Sequence, residues 1–313
     1  MKVLVSGGAG FIGSHVADAY LAAGHEVVVA DDLSTGHDRN LPRGARFERV
    51  DIRDRQAVAD LMERERPQVL NHHAAQMDVR RSVADPAFDA EINLIGLLNL
   101  MEAGRTRGLR CVVFASSGGT VYGENQNLPA REGEPTEPVS PYGVAKLASE
   151  RYLHYYSHLY GIRHVALRYA NVYGPRQDPH GEAGVVAIFS GLLLRRREPT
   201  INGTGKQTRD YVYVADVARA NVLAIDGDYC GALNIGTGIE TDVNQLFALL
   251  CDATGFHPPE RHGPAKPGEQ SRSVLDPAKA RATLGWSPAM PLADGLARTV
   301  AYFRERMANE SGD

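Results

Sequence analysis

The chain opens on Lys2-Val3-Leu4-Val5-Ser6, a short apolar strand that breaks into Gly7-Gly8-Ala9-Gly10-Phe11-Ile12-Gly13 and continues as an apolar-periodic helix. A strand, a glycine turn and a helix in that order leave few folds open, because each glycine answers a separate steric demand. Gly7 permits the tight turn, Gly10 lets the backbone approach a pyrophosphate, and Gly13 lets the helix pack close to the strand with its N-terminal N–H groups facing the anion. A second apolar strand, Glu26-Val27-Val28-Val29-Ala30, ends in Asp31. That position lies roughly 20 residues past the turn, where a carboxylate accepts both hydroxyls of an adenosine ribose. Turn and acid together predict a dinucleotide site. Asp31 repels a 2′-phosphate, and Asp32, Leu33, Ser34 and Thr35 include no arginine to neutralise one, so the cofactor expected is NAD rather than NADP.

Strand-like runs then alternate with helical patterns through the first half: Lys2–Ser6, Glu26–Ala30, Ala45–Val50, Gln68–His72, Arg110–Ala115 and Arg163–Arg168. Such alternation predicts an α/β fold, a doubly wound parallel sheet of Rossmann type covered by helices on both faces. Pro86–Gly108 carries Ile92, Ile95, Leu98 and Leu100 at helical spacing, and Pro141–Gly161 carries Val144, Leu147, Tyr152 and Tyr155; both helices are candidates for a dimer surface. After about Arg168 the alternation gives way to glycine- and proline-rich stretches that read as a smaller C-terminal substrate-binding region. The expected division is a cofactor-binding domain over 1–170 and a mainly substrate-binding region over 171–313.

With 313 residues, 43% of them hydrophobic, the chain can bury a large core, and a net charge of −4 gives no broad cationic field. Nucleic acid and anionic membrane are therefore poor partners. Cys111, Cys230 and Cys251 lie in apolar contexts without metal-type spacing, which reads as buried reduced thiols and no metal. No apolar stretch reaches the roughly 18 residues of a membrane span, and the chain begins on a core strand without a signal peptide, so a cytoplasmic enzyme is expected.

Pro141-Tyr142-Gly143-Val144-Ala145-Lys146 sets a phenol and an amine four residues apart, on one face of a helix. An ammonium beside a phenol, together with a positive nicotinamide ring, stabilises tyrosinate and lowers the phenol from about 10, making Tyr142 a usable proton acceptor near neutral pH. Lys146 is also placed to hold the nicotinamide ribose.

At this point the chain resembles the extended short-chain dehydrogenase/reductases, and within them the NAD-dependent nucleotide-sugar epimerases typified by UDP-glucose 4-epimerase. The residues that carry the resemblance run nearly end to end. They are Gly7 to Gly13, Asp31-Asp32-Leu33-Ser34-Thr35-Gly36-His37, His72-His73-Ala74-Ala75-Gln76, Ser116-Ser117-Gly118-Gly119-Thr120-Val121-Tyr122-Gly123, Tyr142 to Lys146, Asn171-Val172-Tyr173-Gly174-Pro175-Arg176 and Arg209-Asp210-Tyr211-Val212. The resemblance implies that Phe11 and Ile12 contact the pyrophosphate through their backbone and that Asp51 and Ile52 flank the adenine. It sets His72, Ala74, Ala75, Gln76, Asn93, Ser116 and Tyr169 along the cofactor channel, with Asp32, Ser34, Thr35 and Gly36 beside Asp31.

It also implies a reaction. Tyr142 takes the proton of a sugar 4-hydroxyl while the C4 hydride moves to NAD; the 4-keto sugar turns about its phosphate linkage and receives the hydride on its other face. Such a cycle needs a strong anchor on UDP and a weak one on the hexose. By resemblance Asn171 and Arg209 hold the diphosphate, and Glu269 receives the uridine ribose hydroxyls. Lys266 stands where the family has a second arginine, and Arg272 is near enough in sequence to supply the missing guanidinium. Val185 and Ile201 also fall on the substrate side, along with Gly118 and Gly119. Ser273 is small where a bulky residue restricts the C2 substituent, so UDP-N-acetylglucosamine and UDP-N-acetylgalactosamine join UDP-glucose and UDP-galactose as expected substrates. A homodimer is expected as well.

The chain departs from the family at Gly118, which replaces the usual catalytic hydroxyl; Ser117 is the nearest substitute, with Thr120 in reserve. Dehydratases carry an Asp-Glu where this chain has Gly119-Thr120, which argues against dehydration. UDP-glucuronate 4-epimerisation or decarboxylation stays open, since a C6 carboxylate needs only one extra contact. A catalytically inactive nucleotide-sensing protein draws its support from Gly118, against which stand Tyr142 and Lys146.

Overall fold

The computed structural model describes residues 1–125, 127–179, 184–265 and 270–310. In chain order the elements of the first half are β1 (Lys2–Ser6), α1 (Phe11–Ala22), β2 (Glu26–Asp31), β3 (Arg46–Arg49), α2 (Arg55–Glu65), β4 (Val69–His72), α3 (Val79–Ala84), α4 (Pro86–Ala90), α5 (Gly96–Gly104), β5 (Cys111–Ser117), α6 (Gly118–Val121), α7 (Pro141–Tyr160) and β6 (Arg163–Tyr169). Then come β7 (Asn171–Tyr173), α8 (Val185–Leu194), β8 (Thr200–Asn202), β9 (Thr208–Arg209), β10 (Tyr211–Tyr213), α9 (Val214–Ala224) and β11 (Gly231–Ile235). The chain finishes with β12 (Thr241–Asp242), α10 (Val243–Thr254), β13 (Arg261–Gly263), β14 (Arg272–Ser273), α11 (Ala278–Leu284) and α12 (Leu292–Glu310).

Seven strands form one parallel sheet in the order β11-β6-β5-β4-β1-β2-β3. The chain winds outward from β1 through β2 to β3, then crosses to β4 and winds the other way. Loops leaving β1 and β4 therefore diverge, which opens a crevice at the carboxyl ends of the strands. Strand alternation supplies two cores: Val3 and Val5 face α1 and α9 with Tyr20 and Trp286, while Leu4 faces Leu61, Met62, Leu97 and Phe114 on the opposite side. A third cluster, with Phe189, Ile201, Leu246, Phe247 and Val300, holds α8, α10 and α12 together in the second half.

Three features differ from the sequence reading. β11, which that reading missed, comes from beyond residue 170 and pairs with β6, while α9 packs on α1, so the sheet is completed by the second half. The run Gly231–Ile235 is short and interrupted by Asn234, so its apolar pattern is weak, and its pairing with β6 covers what would otherwise be an open edge. β5 runs on to Ser117, with Ser116 opposite Arg168 and Ser117 opposite Tyr169 in the ladder. The helix expected over Pro86–Gly108 is broken by a π-helical segment, Glu91–Ile95, that carries Asn93.

Candidate active site

The glycine turn is built from close backbone approaches. Gly7 has φ +75°, and a β-carbon on it would stand 2.4 Å from the backbone nitrogen of Ala74; on Gly13 it would stand 2.2 Å from the carbonyl oxygen of Gly7. At Gly10 the nearest atom would be 3.2 Å away, so the tightest demands fall on Gly7 and Gly13. Gly10 is the N-cap of α1 and offers no side-chain cap, so the first-turn amides of Phe11, Ile12 and Gly13 remain an anion-binding end. Asp31 is 8% exposed; its Oδ2 accepts from the Ala9 amide at 3.0 Å and its Oδ1 from the Leu33 amide at 2.9 Å. Burial raises its pKa against the pull of these bonds. Gly36 lies against Asp31 and Ala9, and the Asp32 carboxylate holds both the amide and the hydroxyl of Ser34, so the loop carrying Thr35 closes over the turn.

The other residues expected beside the cofactor lie at or just after strand ends, apart from Asn93 on the π-helical segment. Ile52 is buried against Gly96, whereas Asp51 gives both carboxylate oxygens to Arg53, which lowers its pKa. His72 is buried and bonded to the Ser6 hydroxyl at 2.6 Å; burial holds its pKa well below the usual value, so it is a neutral packing residue. The Tyr169 hydroxyl meets His73 Nε2 at 3.1 Å. Gln76 and Asn93 both donate to Asp89 Oδ1, at 3.0 and 2.9 Å, and Asn93 also donates to the Gln76 carbonyl. Their donors thus position the Ala74-Ala75-Gln76 segment. Ser116, expected beside the cofactor, instead donates its hydroxyl to Glu150 Oε1 at 2.6 Å, because strand alternation turns it toward α7. These residues fit a dinucleotide: cradles that only glycine fills, an uncapped helix end and a held carboxylate lie on one edge of the sheet.

Ser140 caps α7 by accepting from the Gly143 amide at 3.2 Å, which fixes Tyr142 in the first turn and Lys146 one turn later. Lys146 is 3% exposed, donates to the Ala115 carbonyl at 3.0 Å and lies 5.6 Å from the centre of the Tyr142 ring. Burial lowers its pKa to about 8, opposed by the Asp89 carboxylate.

A cavity of about 730 Å³ reaches Ser140, the cap of α7, and is lined by Ser117, Gly119, Thr120, Tyr169, Asn171, Arg209 and Ser273 among others. Gly118 lies beneath it. A β-carbon there would stand 2.4 Å from Leu275 Cδ1, so a hydroxyl-bearing side chain at this position would require the Leu275 side chain to move, while Ser117 lines the cavity. Leu275 is set by Asp210, a 1%-exposed carboxylate that accepts from the Leu275, Thr237 and Gly238 amides. Arg209 donates to the Thr208 carbonyl at 2.8 Å.

Other expectations on the substrate side need correction. Arg272 does not supply a missing guanidinium, because it forms a two-pronged bond with Glu240 at 2.9 and 2.6 Å, pointing away from the buried Ser273 that follows it. Ile201 is wholly enclosed in the third core, so only its backbone is left for a ligand, and Val185 opens α8 outside the residues that line the cavity. Lys266 and Glu269 lie outside the described residues. Cys230 is exposed rather than buried, since it stands just ahead of β11, against Ser157 and His164. Sequence reasoning missed Asp89, Glu150, Arg168, Asp210 and Leu275; isolated acids at Asp89 and Glu150 on otherwise helical patterns were the available signal.

The match to known proteins covers both halves. Residues 3–236 match the NAD dependent epimerase/dehydratase family. The chain is 46% identical over 314 residues to the UDP-glucose 4-epimerase of Mycolicibacterium smegmatis, covering 98% of this chain and 99% of that protein. Its fold is similar to that of the UDP-glucose 4-epimerase of Thermotoga maritima, solved with UDP-glucose (TM-score 0.96, 48% identity, 98% of this chain and 100% of that one). It is also similar to the Thermus thermophilus UDP-glucose 4-epimerase solved in complex with NAD (TM-score 0.92, 46% identity, 97% and 99% covered). With the glycine cradle, Asp31 and the Tyr142–Lys146 pair in place, the chain belongs to the NAD dependent epimerase/dehydratase family.

Proposed function

We propose that this protein is an NAD-dependent isomerase that inverts C4 of a UDP-hexose, interconverting UDP-glucose and UDP-galactose. The observation that carries this reading is the buried Lys146 one helical turn from Tyr142, on a helix whose cap residue Ser140 lines a cavity together with Ser117, Asn171 and Arg209. NAD, held by the Gly7–Gly13 turn and Asp31, supplies a reversible hydride acceptor for C4. Tyr142 removes the proton of the 4-hydroxyl and returns it after the sugar turns, Lys146 favours its phenolate, and Ser117 hydrogen-bonds the same oxygen. Arg209 and Asn171 anchor the diphosphate, so the hexose stays loosely held and free to rotate. High identity to UDP-glucose 4-epimerases along the whole chain favours this reading over uronate chemistry or an inactive sensor.

Two finer points extend it. Ser273 lines the cavity with a small side chain where a bulky one would restrict the C2 substituent, which supports acceptance of an N-acetyl group there. Val144, Tyr152, Tyr155 and Leu159 on α7 and Ile95 on the π-helical segment are exposed apolar residues on the two helices expected to pair two copies of the chain.

Purified protein given UDP-galactose without added NADH is expected to form UDP-glucose by proton NMR, with Tyr142→Phe slower by roughly 10²–10⁴-fold; an inert wild type holding NAD contradicts the reading. Because Lys146 is protonated only below about 8, kcat/KM should fall as pH rises through that value, and a rate level to pH 10 contradicts the role of the ammonium. Ser273→Tyr should lower turnover of UDP-N-acetylgalactosamine relative to UDP-galactose, and an unchanged ratio removes the C2 argument. Light scattering should give the mass of a dimer and, for Val144→Glu with Tyr152→Glu, that of a monomer; a monomeric wild type refutes the helix pairing.

A further inference from the structure

Behind the cavity runs a buried polar chain that the proposed reaction does not use. Glu150 Oε1 accepts from the Ser116 hydroxyl at 2.6 Å and from Arg168 Nε at 3.0 Å, while Oε2 accepts from Arg168 Nη2 at 2.7 Å. Arg168 Nη1 donates to the Tyr122 hydroxyl at 2.9 Å, which donates to Asn234 Oδ1 at 2.7 Å, and Asn234 Nδ2 donates to the Ala130 carbonyl at 2.9 Å. The Arg168 and Glu150 side chains are only 5% and 8% exposed.

Stability alone is a weak reason for such a pair, because desolvating two charges offsets much of their attraction and well-packed apolar residues serve a core as well. Its position gives a stronger one. Ser116 precedes Ser117, Arg168 precedes Tyr169, and Glu150 follows Lys146 by one turn of α7. β5 ends in two serines, and a one-residue slip would exchange the faces to which they point. Arg168 stands opposite Ser116 in the ladder and grips the carboxylate that takes the Ser116 hydroxyl, so only one register satisfies both.

We infer that Ser116, Glu150 and Arg168 are positioning residues, a buried clamp that locks β5 to α7 so that Ser117 faces the cavity and the Tyr142–Lys146 pair keeps its place against the end of β5, where Lys146 donates to the Ala115 carbonyl. The inference rests on the reading of Tyr142, Lys146 and Ser117 as the reacting groups, which conversion of UDP-galactose by the wild type tests separately.

The informative variant is Ser116→Ala, which deletes one hydroxyl and leaves both charges paired. Its kcat for UDP-galactose should fall about tenfold, the factor set by roughly 1.4 kcal/mol in the barrier. KM should stay within about twofold and NAD bound per chain should be unchanged, with Ser116→Thr recovering most of the rate. Glu150→Gln leaves Arg168 buried without its counter-charge, so it should lower kcat and the thermal midpoint together; should it fail to fold, Ser116→Ala still decides. A wild-type kcat in Ser116→Ala overturns the inference. So does loss of bound NAD with a raised KM, which would make Ser116 a cofactor contact.

Discussion

An ammonium taken almost wholly out of water, that of Lys146, is the group around which β5 and α7 are arranged. Lys146 donates to the Ala115 carbonyl at 3.0 Å, with the centre of the Phe114 ring 4.9 Å away and that of the Tyr142 ring at 5.6 Å. Burial pulls its pKa down to about 8, while the Asp89 carboxylate, itself 1% exposed and held by Gln76 and Asn93, works the other way. His73 on the neighbouring strand end is pushed down to about 3 by its own burial and then by Lys146, so the imidazoles nearby stay neutral. Neutral imidazoles leave the lysine as a local positive charge that a tyrosinate would feel.

Around that charge the fold separates two tasks. The parallel sheet brings the ends of β1, β2, β4, β5 and β6 to one edge, where backbone closeness at Gly7 and Gly13 leaves space for a dinucleotide. The second half supplies Asn171, Arg209 and Ser273 to the lining of the cavity. It is not merely appended, since β11, α9 and Trp286 complete the sheet and its core. A reaction that moves a hydride out and back on opposite faces needs this division, rigid on the cofactor side and permissive around the hexose.

What could be read from the chain was what local spacing encodes. The glycine turn, Asp31 and the Tyr142–Lys146 pair each lie within one element or its end, and all fall where their patterns place them. Gly118 marks the limit. Its glycine looks like a lost catalytic group in sequence, yet in space it answers Leu275, which arrives from far along the chain on a loop fixed by Asp210. Arg272 failed for a related reason, because Glu240 claims its guanidinium across a strand pairing that spacing does not reveal. Sequence singles out Ser117 as the hydroxyl nearest Gly118, but that Ser116 turns to Glu150 while Ser117 lines the cavity follows from strand register that spacing alone does not reveal.

The central claim is that C4 inverts by a hydride that leaves and returns inside a closed site, with protons exchanged only at oxygen. Turnover of UDP-galactose in D₂O, followed by mass spectrometry and proton NMR of the UDP-glucose formed, tests this directly. The account predicts product with no deuterium at carbon 4. Product carrying one deuterium there would mean that the C4 hydrogen departs as a proton, and would contradict the account.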